Sequence, residues 1–120
     1  MHELSIAMSL VDLACEQAAR MSSVRIRAVH IDVGVLAGVD KDALAFSFQA
    51  AAAGTEVDGA RIEVREVSAT VWCDACNTER ALPQPHLRQC SVCGAAAPTL
   101  MAGAELQLVS LEVEDVHANR

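Results

Sequence analysis

An α+β fold is predicted for this 120-residue chain: a small three-stranded sheet with two helices and an inserted cysteine hairpin. Three observations lead there. Two stretches place apolar residues at helical spacing, and three others alternate with a period of two. Between the last two alternating stretches lie two matched pairs, Cys73-Asp74-Ala75-Cys76 and Cys90-Ser91-Val92-Cys93.

The elements follow in order. Leu4, Ala7, Met8, Val11, Ala14, Cys15 and Ala18 keep i, i+3, i+4 spacing and predict a helix from Glu3 to about Met21. Ile6, Leu10 and Leu13 widen its apolar face, and Cys15 reads as a small buried hydrophobe on that face rather than a ligand. A strand follows from Val24 to Val35. Its apolar phase slips at Ala28-Val29, which predicts a bulge or strong twist. Asp40 is placed as the N-cap of a second helix, Lys41 to about Ala53, with Leu44, Phe48 and Ala51 buried and Gly54 as its terminator. Arg61–Thr70 alternates as a second strand. The last strand, Leu106 to Val113, is apolar on much of both faces and is predicted to be central in the sheet. The predicted division is an α+β domain of residues 1–70 plus 99–120, with residues 71–98 inserted as a four-cysteine zinc-binding domain.

Two residues between partners let each cysteine pair wrap one side of a tetrahedral ion, and the thirteen residues from Asn77 to Gln89 bring the pairs together. Asn77 and Gly94 follow the pairs as residues that tolerate positive φ. Four soft thiolates favour Zn²⁺ over harder ions, and a complete shell of four cysteines leaves no position for a substrate. Cys73, Cys76, Cys90 and Cys93 therefore read as a structural, zinc-ribbon-like site. The hairpin has little apolar content of its own, so zinc is expected to supply on the order of 10–16 kcal/mol of its folding energy. Disulfides and a redox dithiol are the alternatives. The Met1-His2-Glu3 opening is unlike a secretory leader, so a reducing, cytoplasmic setting is expected.

Charge narrows the class further. Nine Lys and Arg against sixteen Asp and Glu give a net charge of −7, and a zinc-loaded tetrathiolate takes it to about −9. Phosphate binding needs a basic face, so a zinc-ribbon nucleic-acid-binding or regulatory protein is the alternative reading and is disfavoured. No apolar run approaches the length of a membrane span. There is no Ser-His-Asp set, catalytic carboxylate pair or nucleotide motif to support an enzyme.

The amino terminus offers a second metal chemistry. Histidine at position 2 disfavours removal of Met1, so the amine of Met1, the amide and imidazole of His2 and a further group from Glu3 can surround one divalent ion. Such nitrogen-rich sets suit Ni²⁺ or Cu²⁺. Glu3 is equally an acid favoured in a first helical turn.

These residues together carry a resemblance. Met1-His2-Glu3-Leu4-Ser5, Gly38-Val39-Asp40, Phe46-Ser47-Phe48, Gly54-Thr55, the paired Cys-x-x-Cys knuckles and the ending Glu105-Leu106-Gln107-Leu108-Val109-Ser110-Leu111-Glu112-Val113 resemble the HypA/HybF family across essentially the whole chain. The resemblance implies a nickel metallochaperone of [NiFe]-hydrogenase maturation, and in some organisms of urease. It implies transferable Ni(II) held through His2 and Glu3, with Asp40 nearby in some members, and structural Zn(II) on the four cysteines. The implied partners are an accessory GTPase and the hydrogenase large subunit precursor, with the carrier a monomer or weak homodimer. His86 is the only histidine in the cysteine loop and none adjoins either pair, so a histidine-for-cysteine exchange at zinc is not expected; His30 and His117 read as solvent-facing.

Overall fold

The computed structural model describes residues 3–21, 24–84 and 86–115. Its elements run α1 (Glu3–Ala19), β1 (Val24–Gly34), α2 (Lys41–Ala52), β2 (Arg61–Val67), β3 (Thr70–Cys73), β4 (Thr78–Ala81), β5 (Leu100–Ala102) and β6 (Leu106–Asp115). They form two three-stranded sheets, ordered β2-β1-β6 and β4-β3-β5. The α+β class, the two helices and the cysteine hairpin are as expected. Two compact units divide the chain: Val39–Arg65 with the described residues before Val33 and after Leu106, and Val33–Gly38 with Glu66–Leu106. Among the described residues, no helix is long and apolar enough to cross a membrane.

In the first unit α1 and α2 pack on each other. The buried stripe of α1 is Ala7, Leu10, Val11, Ala14 and Ala18, whereas Leu4 and Met8 are 50% and 54% exposed. The expected stripe is therefore rotated toward Leu10. So many apolar residues ring this helix that periodicity allows several faces, and packing against neighbours selects one. Cys15 is half-buried at the edge of that face rather than fully enclosed. On α2, Leu44, Phe48 and Ala52 are buried. Asp40 caps the helix, its Oδ1 accepting from the amides of Asp42 at 2.8 Å and Ala43 at 3.0 Å. Gly54, at φ 77°, ends it in the left-handed region.

β1, not β6, is the central strand. Apolar residues on both faces of β6 did not signal burial, and face burial is in any case a different property from having hydrogen-bonded neighbours on both edges. The expectation failed for that reason: Val109 and Val113 are 52% and 42% exposed, while β1 is buried from Ala28 to Gly34 except at His30. His30 is half-buried, its Nε2 lying 2.6 Å from Glu112 Oε2, and Arg27 donates to Glu114 Oε2 at 3.3 Å. Arg27 and His30 are an odd number of residues apart yet both reach β6, and Ala28 and Val29 between them are both buried, in keeping with the expected phase slip. Asp32, 6% exposed, is held by both arms of Arg65, at 2.9 Å from Nε and 2.6 Å from Nη2. The segment expected as one strand over 61–70 is cut at Ser68-Ala69, where the chain steps from one sheet to the other.

The second unit is built on β3. β4 pairs with it antiparallel, Val71 opposite Arg80 and Cys73 opposite Thr78, and β5 takes its other edge with a register shift at Thr70/Val71. Ala69, Val71, Leu82 and Ala97 form a buried cluster against which Leu36 and Leu100 pack. The hairpin thus owns more apolar contact than its composition suggested, because residues flanking it and the distant Leu36 complete the cluster. Leu36 arrives on a segment that threads this unit by backbone hydrogen bonds: Gly34 N–H to Glu105 O at 2.7 Å, Val35 N–H to Val67 O at 3.0 Å and Leu36 N–H to Gly103 O at 2.7 Å. The approach is so close that a Cβ on Gly34 would lie 2.1 Å from the carbonyl carbon and oxygen of Gly103.

Two expected outcomes follow from this packing. Gly34→Ala forces backbone apart and should destabilise the protein by about 3 kcal/mol or more, read from chemical denaturation; a variant within ~0.5 kcal/mol of the parent contradicts the close crossing. Glu112 is held below the usual carboxylate range first by its hydrogen bond to His30, with Arg61 adding to the effect against partial desolvation. A depressed folded-state pKa stabilises the fold above the ordinary carboxylate value of about 4.3 and is lost as pH falls through the lower folded value. Glu112→Gln should therefore cost stability at pH 7 and close the gap to the parent at pH 3.

Candidate metal centres

Each cysteine pair occupies its own turn. The first, Cys73 to Cys76, closes the β3–β4 hairpin, and Asn77 at φ 56° completes the turn. The second, Cys90 to Cys93, is closed by an isolated bridge between Gln89 and Ala96. There Gly94, at φ 76°, donates to the Cys90 carbonyl at 3.0 Å, and the Cys90 amide donates to Ala95 O at 2.8 Å. Within the turns, backbone amides aim at the first sulfur of each pair: Cys76 N–H at Cys73 Sγ at 3.3 Å, and Val92 and Cys93 N–H at Cys90 Sγ at 3.3 and 3.4 Å. Trp72 Nε1 donates to Asp74 Oδ1 at 3.1 Å and steadies the first turn from outside.

All four sulfurs lie within 4.8 Å of one another. The two cross-pair distances are 3.6 Å between Cys73 and Cys93 and 3.9 Å between Cys76 and Cys90. Sulfurs about 2.3 Å from a common centre at tetrahedral angles are about 3.8 Å apart, so the arrangement fits a Zn²⁺-sized ion. Electrostatics point the same way. Hydrogen bonding from the Cys93 amide, then the Val92 amide, overcomes burial and lowers Cys90 to about 6. At Cys93 the Ala95 amide acts downward, but hydrogen bonding with the Cys73, Cys90 and Cys76 sulfurs outweighs it and raises the thiol to about 11. Cys90 is thus favoured as a thiolate while Cys93 is held protonated, and a cation in the cluster would relieve that opposition. Cys73 and Cys90 are buried, Cys76 half-buried and Cys93 exposed, so the cluster opens to solvent on one side.

The amino-terminal set falls only partly within the described residues. Met1 and His2, expected ligands, lie outside the described residues. Glu3 opens α1, and its Oε2 accepts from the Asp40 amide at 3.4 Å. The first turn of α1 and the N-cap of α2 therefore bring two of the expected ligands together from positions 37 residues apart. Both capping bonds of Asp40 fall on Oδ1, so capping and ligation through Oδ2 are compatible. His86 is exposed and is not part of the sulfur cluster. One residue escaped sequence reasoning. Arg80 lies against the Cys76 and Cys90 sulfurs, which raise its guanidinium above the ordinary value; only the strand pairing that sets it opposite Val71 reveals this.

Fold and sulfur cluster define a small α+β metal-binding protein. The family model described as hydrogenase/urease nickel incorporation metallochaperone, HypA, matches residues 1–113. The chain is 48% identical to the hydrogenase maturation factor HypA of Roseiflexus sp. (strain RS-1), over 96% of this chain and 94% of that one. It is 47% identical to that of Chloroflexus aggregans, over 93% and 98%. Among solved structures, the Ni metallochaperone HypA from Helicobacter pylori shares the fold with a TM-score of 0.64 and 24% identity, covering 93% of this chain and 97% of that one. The chain belongs to the HypA family, whose members are metallochaperones of hydrogenase maturation rather than enzymes.

Replacing one sulfur tests the centre. Cys73→Ser should lower bound zinc from about one equivalent to well below it, with loss of ordered β3–β4 structure by NMR. Full zinc content with an unchanged spectrum would contradict a four-cysteine shell.

Proposed function

We propose that this protein is a nickel carrier: it takes Ni(II) at its amino terminus through Met1, His2 and Glu3, with Asp40 as a further ligand. It hands the ion on for assembly of [NiFe]-hydrogenase, and also of urease where the cell makes one. The observation that carries this reading is the meeting of Glu3 with Asp40, in a chain of the HypA family whose second residue is a histidine. Zn(II) on Cys73, Cys76, Cys90 and Cys93 is the structural ion of this reading; when bound it neutralises the thiolates and cross-links the two turns. The division of 71–98 as an inserted zinc domain within an α+β nickel domain belongs to the same proposal.

A site built on a chain end suits a cargo. Its ligands are approached from outside, so an acceptor can supply replacement donors without unfolding the carrier. The imidazole must be neutral to bind, and cargo is therefore lost as pH falls through about 6.5. The partners in this proposal are an accessory GTPase that triggers release and the hydrogenase large subunit precursor that receives the metal. The carrier is a monomer or weak homodimer in the cytoplasm, where thiols stay reduced. Its acidic balance suits cationic cargo and protein partners and disfavours the nucleic-acid-binding alternative.

Calorimetry on zinc-loaded protein tests the site. Native protein should bind about one Ni²⁺; His2→Ala, or residues added before Met1, should abolish that binding, and Asp40→Asn should weaken it up to about tenfold while preserving the cap. Undiminished affinity in the first two forms would remove the terminus from the site.

A further inference from the structure

β6 lies at one edge of the β2-β1-β6 sheet, and among the described residues no strand pairs with its outer side. An open edge presents a row of unpaired backbone N–H and C=O groups, which folded proteins blunt with charge, proline or brevity. β2, at the opposite edge, is blunted in this way: four of its seven residues, Arg61, Glu63, Arg65 and Glu66, are charged. β6 is not. It runs for ten residues without proline or glycine, and from Leu106 to Leu111 it carries no charge.

Its side chains are sorted as well. Glu112 and Glu114 share one face, where they meet His30 at 2.6 Å, Arg61 at 3.1 Å and Arg27 at 3.3 Å. Their charges are thus answered within the chain. Alternation puts Val109, Leu111 and Val113 on the other face, where Leu111 is half-buried and the two valines are exposed. A strand suited to this edge needs a matching apolar row and no acid opposite Glu112 or Glu114.

β6 itself has that pattern. Two copies in one antiparallel sheet are related by a two-fold axis through the sheet, so residues opposite each other share a face. An axis at Leu111 sets Leu111 against its own copy and Val109 against Val113 of the second copy, twice over. It sets Glu112 opposite Ser110 and Glu114 opposite Leu108, so no acid faces an acid. Moving the axis to Glu112 makes that residue face itself, and moving it to Val113 sets Glu112 against Glu114. An axis at Ser110 leaves Val113 opposite Gln107 and loses the valine match.

We propose that β6 is a self-recognition edge: a second copy of this chain pairs with it antiparallel about Leu111, joining the two sheets into one. This selects the homodimer from the two states proposed above and locates it, and it does not rest on which metal the protein carries. One strand pair is a small interface, so association is weak and concentration-dependent.

Sedimentation equilibrium of the full chain under reducing conditions tests this. Across roughly 10–500 μM the parent should move from the 12.7-kDa monomer toward twice that mass. Val109→Glu and Val113→Lys should each weaken self-association about tenfold or more. Their circular dichroism should stay that of the parent, because both side chains are already exposed. An equimolar mixture of the two should associate more tightly than either alone, since the new acid of one chain faces the new base of the other. Mixing Val109→Glu with Val109→Lys should gain less, because those positions are not opposite. Phe46→Glu, at an exposed apolar position on α2, should behave as the parent. A parent that stays monomeric throughout overturns the proposal and leaves the edge to a strand of another protein. A dimer that survives both single substitutions, or a complementary mixture no tighter than its components, overturns it too. Should either variant not fold, amide exchange in the parent decides. Slower exchange along β6 at the top of the concentration range than at the bottom supports the pairing, and equal exchange refutes it. None of these readouts involves nickel, so failure of this pairing and failure of the carrier reading are distinguishable.

Discussion

Four sulfur atoms confined within 4.8 Å are the constraint on which the second unit turns. Thiolates held this close repel one another, and a cation among them relieves the repulsion. The surrounding structure is arranged around that difficulty. Amides of the two turns point at Cys73 and Cys90, asparagine and glycine take the left-handed positions that make the turns possible, and an arginine is placed opposite Val71. Each feature is weak alone. Their agreement on one point in space makes a tetrahedral ion the economical account of the segment.

The apolar support for this arrangement comes largely from outside the cysteine loop. Ala69, Val71, Leu82 and Ala97 enclose a cluster too small to stabilise a unit of this length by itself, and Leu36 is brought to it by a strap hydrogen-bonded on both sides. Glycine at position 34 is what lets that strap lie against Gly103. The first unit follows a different logic. Its core is a larger set of aliphatic and alanine side chains from α1, α2 and β1, and it needs no ion to account for its packing. Its surface pairs, such as Arg27 with Glu114 and Arg61 with Glu112, are exposed and screened by solvent, so they contribute little. The enclosed Asp32 is a different case, because its carboxylate depends on both arms of Arg65.

Glu3 and Asp40 are brought together by ordinary helix chemistry. Glu3 is an acid in a first turn and Asp40 an N-cap, two roles any helix rewards. Placing the two helix starts side by side turns these separate preferences into a pair of neighbouring carboxylates, one of which also receives the other's amide. Both capping bonds of Asp40 use one carboxylate oxygen, and the other takes no part in the cap.

Much of this was readable from residue order. The spacing of two within each cysteine pair, with asparagine and glycine after them, is local chemistry, and local chemistry survives in a sequence. So do the Asp40 cap and the start of each helix. Questions of neighbourhood were not readable. Which of several apolar faces α1 buries, why β1 rather than β6 occupies the middle of its sheet, and where the long strand breaks at Ser68-Ala69 all depend on what packs alongside. Arg80 is the sharpest instance: nothing around it in the chain marks it as special, and only strand pairing carries its charge to the sulfurs. Periodicity records how one segment meets water, whereas partners across a sheet are chosen by the whole fold.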